Sequence, residues 1–492
     1  MKKHCLLLFC LICIPLMGQS TYKPDWESID KRPVPAWFEN AKFGIFIHWG
    51  LYSVPAWSPK GTYSEWYKYW LDKKTLMGNG NFTGTEIYDY HRKMYGEDFT
   101  YADFAPMFKA LSYDPEEWAD LFEHSGAKYV VLTTKHHDGF ALWPSREASI
   151  SYGRPWNSME IGAHRDLVGE DVNALRKTDI KVGCFFSLRE WDNPLYNKET
   201  MDLFYERHWF PQLQDLVNRY KPDLIWADGP DQINDKQWQA ERTLAWLYSE
   251  SPVKDSIVVN DRWANNTGKK HGDYYTREYS NTNSSYNKPW EECRGIGLSF
   301  GYNQNEDLGD YTSPKALILT LVNIVSQGGN LLLDIGPNAN GKIPPIMQER
   351  LLQIGKWLKV NGEAIYGTRA WGNFCQWSKG SKEWKSKEKH YVSGDAILKQ
   401  TVDPDPGYAV KEVFFTKKGN NVYAILPRYP KNKIVLKDIQ TTGRTKITLL
   451  GSDKKVQWKQ KGNDIEVIMP LLYVDELPCD YAWVLKLEKI SE

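Results

Sequence analysis

The stretch DPEEWADLFEHSGAKYVVLTTKHHDGF, residues 114–140, contains a helix, a strand and a polar cluster in direct succession. Asp114 and Pro115 are typical of a helix N-terminus, and acidic residues follow in the first turn. The run YVVLTT (129–134) is apolar almost throughout, as in a strand buried on both faces of a parallel sheet. KHHD (135–138) then follows the carboxyl end of that strand. The stretch therefore predicts one α/β unit with chemical groups at one end.

Similar units recur up to residue 367, where short β-rich runs alternate with longer helical patterns. Ser313-Pro314 marks another helix start, and residues 199–220 and 345–360 have the spacing of amphipathic helices. The predicted strands are FGIFI (43–47), YVVLTT (129–134), VGCFFS (182–187), DLIWA (223–227), SIVVN (256–260), YYTRE (274–278), GLSF (297–300) and NLLLDI (330–335). These alternations predict an α/β fold, a TIM-like (β/α)8 barrel. We expect it to be imperfect, because the fifth and sixth crossovers are short and irregular.

A second region begins after Tyr366-Gly367, where the character of the sequence changes. Alternating runs at hairpin spacing start with a predicted hairpin over residues 412–426 and continue almost to the C-terminus. They predict a C-terminal antiparallel β-sandwich domain over residues 368–492, following a catalytic domain over residues 20–367. The sandwich contains no dense group of titratable residues, so we interpret it as a packing or accessory domain.

The first 19 residues have the features of a secretory signal peptide. Lys2 and Lys3 precede the apolar run CLLLFCLICIPLMG (5–18), which is too short for a convincing membrane span. We therefore predict cleavage near residues 18–20 and export to the periplasm or out of the cell, with a lipoprotein anchor at Cys13 as the weaker alternative. No later stretch of the sequence has the unbroken apolar length of a membrane-spanning helix.

Composition argues against several classes of function. Of 492 residues, 62 are Lys or Arg and 62 are Asp or Glu, so a nucleic-acid partner, which needs clustered positive charge, is not expected. The cysteines beyond the signal segment are far apart and form no C-x-x-C pair, which indicates buried thiols rather than a zinc site or a disulfide framework. The 22 Trp and 29 Tyr residues favour either a sugar-binding surface or an aromatic core.

Polar side chains follow most of the predicted strands. They are His48, Lys135, His136, His137, Asp138, Glu190, Asp228, Asp261, Arg262 and Glu278, together with the aromatic residues Trp191 and Phe300. Because the carboxyl ends of barrel strands converge on one face, we expect an active site there. Asp228 and Glu278 follow different strands and can face each other across a pocket, as cleavage of a glycosidic bond by two carboxylic acids requires.

The sequence resembles glycoside hydrolase family 29, the retaining α-L-fucosidases. The matching stretches occur in family order: KFGIFIHWGLYSVPAW (42–57), SEWY (64–67), KHHDGF (135–140), PDLIWADG (222–229), VNDRW (259–263), TREY (276–279), PWEECRGIGLSFGYN (289–303) and GGNLLLDIGP (328–337). The resemblance implies an exo-acting enzyme that removes terminal α-L-fucosyl residues from oligosaccharides or glycoconjugates. It also implies a covalent fucosyl-enzyme and no metal or organic cofactor.

The resemblance further implies roles for individual residues. Asp228 matches the nucleophile and Glu278 the acid/base, with Glu291 as the rival acid/base whose plainer interpretation is an ion pair near Arg294. Arg262 is expected to keep neighbouring acids ionised. The residues implied in substrate binding are His48, Glu65, Trp66, His136, His137, Trp226, Arg262 and Phe300, of which Trp226 and Phe300 would face the fucose methyl group.

A metal site at the two adjacent histidines is not expected. Consecutive side chains on an extended strand point to opposite sides, and no third ligand follows His136 and His137 at a recognisable spacing. One position departs from the family, because many relatives have a Tyr pair where this chain has Phe185-Phe186. A sugar-binding hydroxyl would then be missing, which affects affinity or pH optimum but not the reaction class.

Two other functions fit parts of this pattern. One is a related glycosidase acting on a sugar with the hydroxyl pattern of fucose, such as a β-D-galactoside. The other is a non-catalytic fucose-binding protein, against which the retention of both Asp228 and Glu278 argues. Nothing in the sequence indicates an oligomeric state.

Overall fold

A computed structural model describes residues 21–73, 85–229, 233–280, 286–385 and 395–491, so the predicted signal segment lies outside the described residues. Eight parallel strands form one curved sheet in the order β5-β4-β3-β2-β1-β8-β7-β6. They are β1 Phe43–Ile47, β2 Tyr129–Lys135, β3 Lys181–Ser187, β4 Leu224–Asp228, β5 Val258–Val259, β6 Tyr275–Glu278, β7 Trp290–Gly295 and β8 Asn330–Ile335. The predicted α/β barrel is confirmed, and it is open between β5 and β6.

The opening between β5 and β6 is bridged by side chains instead of a strand ladder. Asp261 Oδ1 accepts a hydrogen bond from the backbone N–H of Thr276 at 2.9 Å, and Asp273 Oδ2 accepts one from Val259 N–H at 2.9 Å. Carboxylates can satisfy backbone donors that would otherwise be left unpaired at a strand edge. Side-chain hydrogen bonds therefore take the place of backbone pairing at this opening.

Helices surround the sheet. In the described residues they are α1 Trp26–Ile29, α2 Ala36–Ala41, α3 Tyr67–Lys73, α4 Thr85–Tyr95, α5 Pro115–Ser125, α6 Arg146–Tyr152, α7 Leu167–Leu175, α8 Met201–Phe204, α9 Phe210–Tyr220, α10 Ala240–Ser249, α11 Pro314–Ser326, α12 Pro345–Asn361 and α13 Ala396–Lys399. The predicted start of α5 is confirmed, since the Asp114 side chain accepts hydrogen bonds from two backbone N–H groups of the first turn. A π-helical turn, Tyr205–Trp209, joins α8 to α9.

The seventh strand differs from the prediction. It is WEECRG (290–295), and the segment GLSF (297–300) is a bend that follows it. Two adjacent glutamates are unusual in a buried strand, but each one has its own partners. Glu291 accepts hydrogen bonds from the Tyr129 hydroxyl and the Trp226 indole, whereas Glu292 forms ion pairs with arginines. Buried carboxylates are tolerated when they are paired in this way.

Two antiparallel sheets form the C-terminal region, as predicted. The five-stranded sheet has the order β13-β16-β11-β10-β9 and the three-stranded sheet the order β12-β15-β14. The strands are β9 Arg369–Trp377, β10 Lys411–Lys418, β11 Asn421–Leu426, β12 Lys433–Leu436, β13 Thr441–Leu449, β14 Gln457–Lys461, β15 Asp464–Ile468 and β16 Trp483–Ile490. Val413 and Phe415 face the core between the sheets, whereas Phe414 packs against the barrel core.

Candidate active site

The carboxyl ends of the barrel strands surround a cavity of about 270 Å³. Apart from Glu291, every residue that the sequence assigns to the site lines it: His48, Glu65, Trp66, His136, His137, Trp226, Asp228, Arg262, Glu278 and Phe300. The volume lies just below the range of about 300–1,000 Å³ that is typical for drug-sized ligands, so the cavity fits a single sugar ring.

One guanidinium group contacts both candidate catalytic acids. The group belongs to Arg262, which follows β5. One terminal nitrogen lies 3.1 Å from Asp228 Oδ1, and the other lies 3.5 Å from Glu278 Oε2. Its Nε donates a hydrogen bond to Thr276 Oγ1 at 2.8 Å, which fixes the plane of the group. Asp228 and Glu278 end β4 and β6, so Arg262 connects the two strands across the opening of the barrel.

Asp228 is held in its ionised form. Burial alone would raise its pKa, but the charge of Arg262 and a contact from His137 Nε2, 3.5 Å from Oδ2, hold the pKa well below its usual range. His137 is oriented in turn by Ser187, whose Oγ lies 2.6 Å from its Nδ1. An ionised carboxylate is the state that a nucleophile needs.

Glu278 has a different environment. Its Oε1 accepts a hydrogen bond of 2.7 Å from the Tyr63 hydroxyl, and its side chain is 29% exposed, against 19% for Asp228. Tyr63 also packs against Phe300, with ring centroids 5.2 Å apart. The greater access to solvent suits a group that must exchange a proton in every catalytic cycle.

Glu291 lies behind the cavity wall. It is 1% exposed, and its two oxygens accept hydrogen bonds from Tyr129 at 2.6 Å and from Trp226 Nε1 at 2.9 Å. Burial raises its pKa to about 7. The expected ion pair with Arg294 is formed by Glu292 instead. The position of Glu291 favours a role in holding Trp226.

Buried polar atoms at the cavity that have no hydrogen-bond partner among the described residues include Glu65 Oε1 and His136 Nδ1. Glu65 Oε2 is occupied, because it accepts hydrogen bonds from Ser299 Oγ at 3.1 Å and from Gly301 N–H at 2.9 Å. An unpaired buried polar group costs about 1–3 kcal/mol, so a hydroxyl-bearing ligand would relieve this cost.

His48 is a neutral imidazole at the same cavity. Burial lowers its pKa to about 3, and its Nδ1 lies 2.6 Å from Asp334 Oδ1, which orients the ring. A neutral imidazole offers one donor and one acceptor. This combination matches the hydroxyl groups of a sugar, which also donate and accept.

The two adjacent histidines face the same cavity, contrary to the expectation that they point to opposite sides. Strand β2 ends at Lys135, and the chain then turns, with Gly139 N–H donating to His136 C=O at 3.0 Å. The ring centroids of His136 and His137 are therefore only 4.2 Å apart. No group of three or more His, Cys, Asp or Glu side chains in the described part of the chain could hold a metal ion.

An aromatic wall completes the cavity. Phe185 stacks on Trp226 with centroids 5.6 Å apart, and Phe46 lies 5.0 Å from Trp226. Phe185 lines the cavity, whereas Phe186 faces away from it and lies 4.1 Å from Lys135 Nζ. Of these two phenylalanines, Phe185 is therefore the one at which a tyrosine hydroxyl could reach a ligand.

A fully buried charged cluster supports the KHHD segment from behind. Lys135 Nζ and His208 Nε2 lie 2.5 Å and 2.7 Å from Glu190 Oε1. Burial would raise the pKa of Glu190, but the charges of His208 and Lys135 lower it to about 2. Glu190 is therefore a structural acid and does not line the cavity.

Sequence reasoning missed several residues that line the cavity: Phe46, Tyr63, Arg189 and Cys293. It placed the Phe185-Phe186 pair near the sugar without saying which of the two lines the cavity. Tyr63 directly precedes the SEWY stretch, so extending that stretch by one residue would have included it. Arg189 lies 5.0 Å above the Trp66 ring and directly precedes Glu190 and Trp191, which follow the predicted third strand. Cys293 lies on β7, which was predicted in the wrong place.

Family models match most of this chain. The model for alpha-L-fucosidase matches residues 12–363, and the model for the alpha-L-fucosidase C-terminal domain matches residues 408–488. The human protein named tissue alpha-L-fucosidase is 43% identical over 479 residues, covering 96% of this chain and 92% of the human one. An alpha-L-fucosidase of Branchiostoma floridae is 39% identical over 494 residues, covering 98% and 99% of the two chains.

Solved structures agree with these matches. The crystal structure of Thermotoga maritima alpha-fucosidase in complex with a mechanism-based inhibitor is 35% identical in sequence and superposes with a TM-score of 0.74. The match covers 95% of this chain and 100% of the Thermotoga chain. It extends through both the curved parallel sheet and the C-terminal sheets.

Proposed function

The chain belongs to the α-L-fucosidase family of glycoside hydrolases, and we propose that it hydrolyses terminal α-L-fucosides with Asp228 as nucleophile and Glu278 as acid/base. One observation carries this assignment. Asp228 and Glu278 come from separate strands, contact the same guanidinium of Arg262, and line a cavity of the size of one sugar. All residues with a proposed role in the reaction or in binding the fucosyl ring lie within residues 20–367, which we take as the catalytic domain.

The reaction proceeds by double displacement. In the first step Asp228 attacks the anomeric carbon of fucose, the glycosidic bond breaks, and Glu278 donates its proton to the departing oxygen. In the second step Glu278 takes a proton from water, and the oxygen of that water displaces Asp228 from the anomeric carbon. Two inversions give net retention of configuration, and both carboxyl groups return to their starting states.

Asp228 changes charge during this cycle. It is an anion before the first step, a neutral ester after it, and an anion again once water has displaced it. Glu278 gives up a proton in the first step and takes one up in the second, so one residue serves as acid and then as base.

The remaining lining residues recognise the sugar. We propose that Glu65 and His136 bind fucose hydroxyls through the atoms that have no partner among the described residues, and that His48 binds another. Trp226 and Phe300 would face the apolar methyl group at C6, and Trp66 would flank the ring. A β-D-galactoside carries a hydroxyl on C6, where fucose has only a methyl group. Against the same aromatic wall that hydroxyl would have no hydrogen-bond partner, so fucose is the favoured substrate.

Replacement of the nucleophile tests this function. Asp228→Asn should lower turnover of an aryl α-L-fucoside by roughly a thousandfold or more, whereas binding of L-fucose, measured by calorimetry, should remain detectable. Glu291→Gln is the matched control, because it also removes a buried carboxylate but one that lies outside the cavity. Near-normal turnover by Asp228→Asn would contradict the assignment.

We also propose that the protein is exported through cleavage of residues 1–19. The proposal rests on Lys2, Lys3 and the apolar run at residues 5–18. None of the helices in the described part of the chain has the length and apolar character needed to cross a membrane. Sequencing the N-terminus of the mature protein should place it near residues 18–21; a lipid-modified N-terminus at Cys13 would contradict the proposal.

A further inference from the structure

A second cavity, of about 490 Å³, lies in the C-terminal sandwich. It shares no lining residue with the catalytic cavity, and it is larger. We call it the sandwich groove and define it by Trp371, Asn373, Phe374, Trp377, Lys437 and Asp438. It runs along β9, the edge strand of the five-stranded sheet, and reaches the end of β12 in the other sheet.

The groove is formed by an interruption of strand pairing. Residues Arg369 and Ala370 pair with β10, and pairing resumes only at Cys375, so the segment Trp371–Phe374 leaves the ladder. Gly372, with φ of +32°, allows the chain to change direction within this segment. Bulges of this kind at sheet edges re-aim side chains and often accompany binding sites.

The interruption places three aromatic side chains at the groove. Trp371, Phe374 and Trp377 are all only half-buried. Trp371 is held by an edge contact with Phe415, with centroids 5.3 Å apart. Half-exposed aromatic rings that are fixed from behind can stack on the C–H groups of a sugar with little loss of side-chain entropy.

Polar groups flank these rings and are already in position. Gln376 donates to Val435 C=O at 3.0 Å and accepts from Lys437 N–H at 3.1 Å, which ties β9 to the end of β12. Asp438 has φ of +54°, and its N–H donates to Asp464 Oδ1 at 3.1 Å. Lys437 and Asp438 thus lie on a braced turn, and a strained residue in such a place is often functional.

We propose that the sandwich groove is a second carbohydrate-binding site, which takes an oligosaccharide chain. The aromatic rings would stack on the sugars, while Asn373, Lys437 and Asp438 would bind hydroxyl groups as donors and acceptors. Two lysines, Lys382 and Lys437, and one aspartate, Asp438, line the groove, so it offers both donors and acceptors to the hydroxyl groups of a glycan. Such a site would hold the body of a glycan and raise the local concentration of its fucosylated ends.

Titration with a fucose-free glycan tests the proposal. The full-length protein would be titrated with lacto-N-tetraose and, separately, with cellotetraose, by calorimetry and by NMR of the ligand. Saturating L-fucose would be present to occupy the catalytic cavity. We expect binding of at least one of the two with a Kd in the millimolar range or tighter, and a roughly tenfold or greater weakening in Trp371→Ala and Trp377→Ala.

Controls separate this site from the fucosidase site. Trp458→Ala removes a half-buried tryptophan of the same sandwich outside the groove and should bind as the parent does. Hydrolysis of a small aryl fucoside should be the same in all variants. If the glycan-binding test fails, the proposed fucosidase function is therefore left intact. If the tryptophan variants do not fold, the same titration is carried out with Asn373→Ala and Lys437→Ala, which should also weaken binding of the glycan. Three results would overturn the proposal: neither glycan binds, L-fucose competes with the glycan, or folded groove variants bind it as the parent does.

Discussion

Arg262→Gln should move the acidic limb of the pH profile of kcat/KM upwards. In the parent protein the charge of Arg262 is the main force that opposes the effect of burial on Asp228 and holds its pKa low. A group with a depressed pKa stays ionised until the pH falls far below the usual range. Without the cation, Asp228 takes up its proton at a higher pH, and the protonated form cannot attack.

The size of this shift follows from the contact distance. Two opposite charges 3.1 Å apart attract by about 5 kcal/mol at an effective dielectric constant of about 20. Part of this energy offsets the desolvation of both groups, and aspartates beside an arginine have pKa values lowered by about 1–3 units. We therefore expect the acidic limb to move up by about 1–3 pH units.

The assay is kcat/KM for an aryl α-L-fucoside across the acidic range, with circular dichroism at each pH to show that the protein stays folded. Arg262→Lys is the matched variant. It keeps a positive charge near Asp228 but lacks the second terminal nitrogen of the guanidinium, so the acidic limb of its pH profile should move less than that of Arg262→Gln. If Arg262→Gln lowers kcat/KM by the same factor at every pH, then Arg262 does not control the ionisation of Asp228.

Three further predictions concern Glu278, its hydrogen-bond partner Tyr63, and Phe185 in the cavity wall. Glu278→Ala should retain activity best on fucosides with good leaving groups and should be rescued by azide; rescue of Glu291→Gln instead would reverse the assignment. Tyr63→Phe removes a hydrogen bond to a carboxylate worth about 1.5–3 kcal/mol, so kcat/KM for natural glycans should fall roughly tenfold or more while inhibition by L-fucose is unchanged. A parallel loss of fucose affinity would show that Tyr63 binds the sugar. Phe185→Tyr should lower the inhibition constant of L-fucose about twofold to tenfold through one new hydrogen bond, whereas Phe186→Tyr, which faces away from the cavity, should not; equal effects of the two would refute this.

Most of the barrel could be predicted because its strands are apolar on both faces. Runs such as YVVLTT and NLLLDI have no other stable place than a sheet covered on both sides. The convergence of strand ends then brings His48, Asp228 and Glu278 together even though they are far apart in sequence. This rule selected His48, His136, His137, Asp228, Arg262 and Glu278 without any knowledge of side-chain contacts, but it did not select Tyr63, Glu65 or Arg189.

The parts that could not be predicted depend on tertiary partners. The sequence WEECRG does not resemble a buried strand, because it contains two adjacent glutamates. It can be buried because Tyr129 and Trp226 donate hydrogen bonds to Glu291, and these partners are distant in sequence. The direction of the His136 and His137 rings depends on where β2 ends, and strand ends are the least certain feature of any pattern. The contact between Tyr63 and Glu278 joins residues that no local spacing relates.

The most direct test of the account is to trap the covalent intermediate and locate it. Glu278→Ala should form the fucosyl-enzyme from an activated aryl fucoside but hydrolyse it slowly, so intact-protein mass spectrometry should show the addition of one fucosyl group. Peptide mapping should place that group on Asp228, and it should be absent when Asp228→Asn is added. A fucosyl group on another residue, or release of fucose with inverted anomeric configuration and no adduct, would contradict the account.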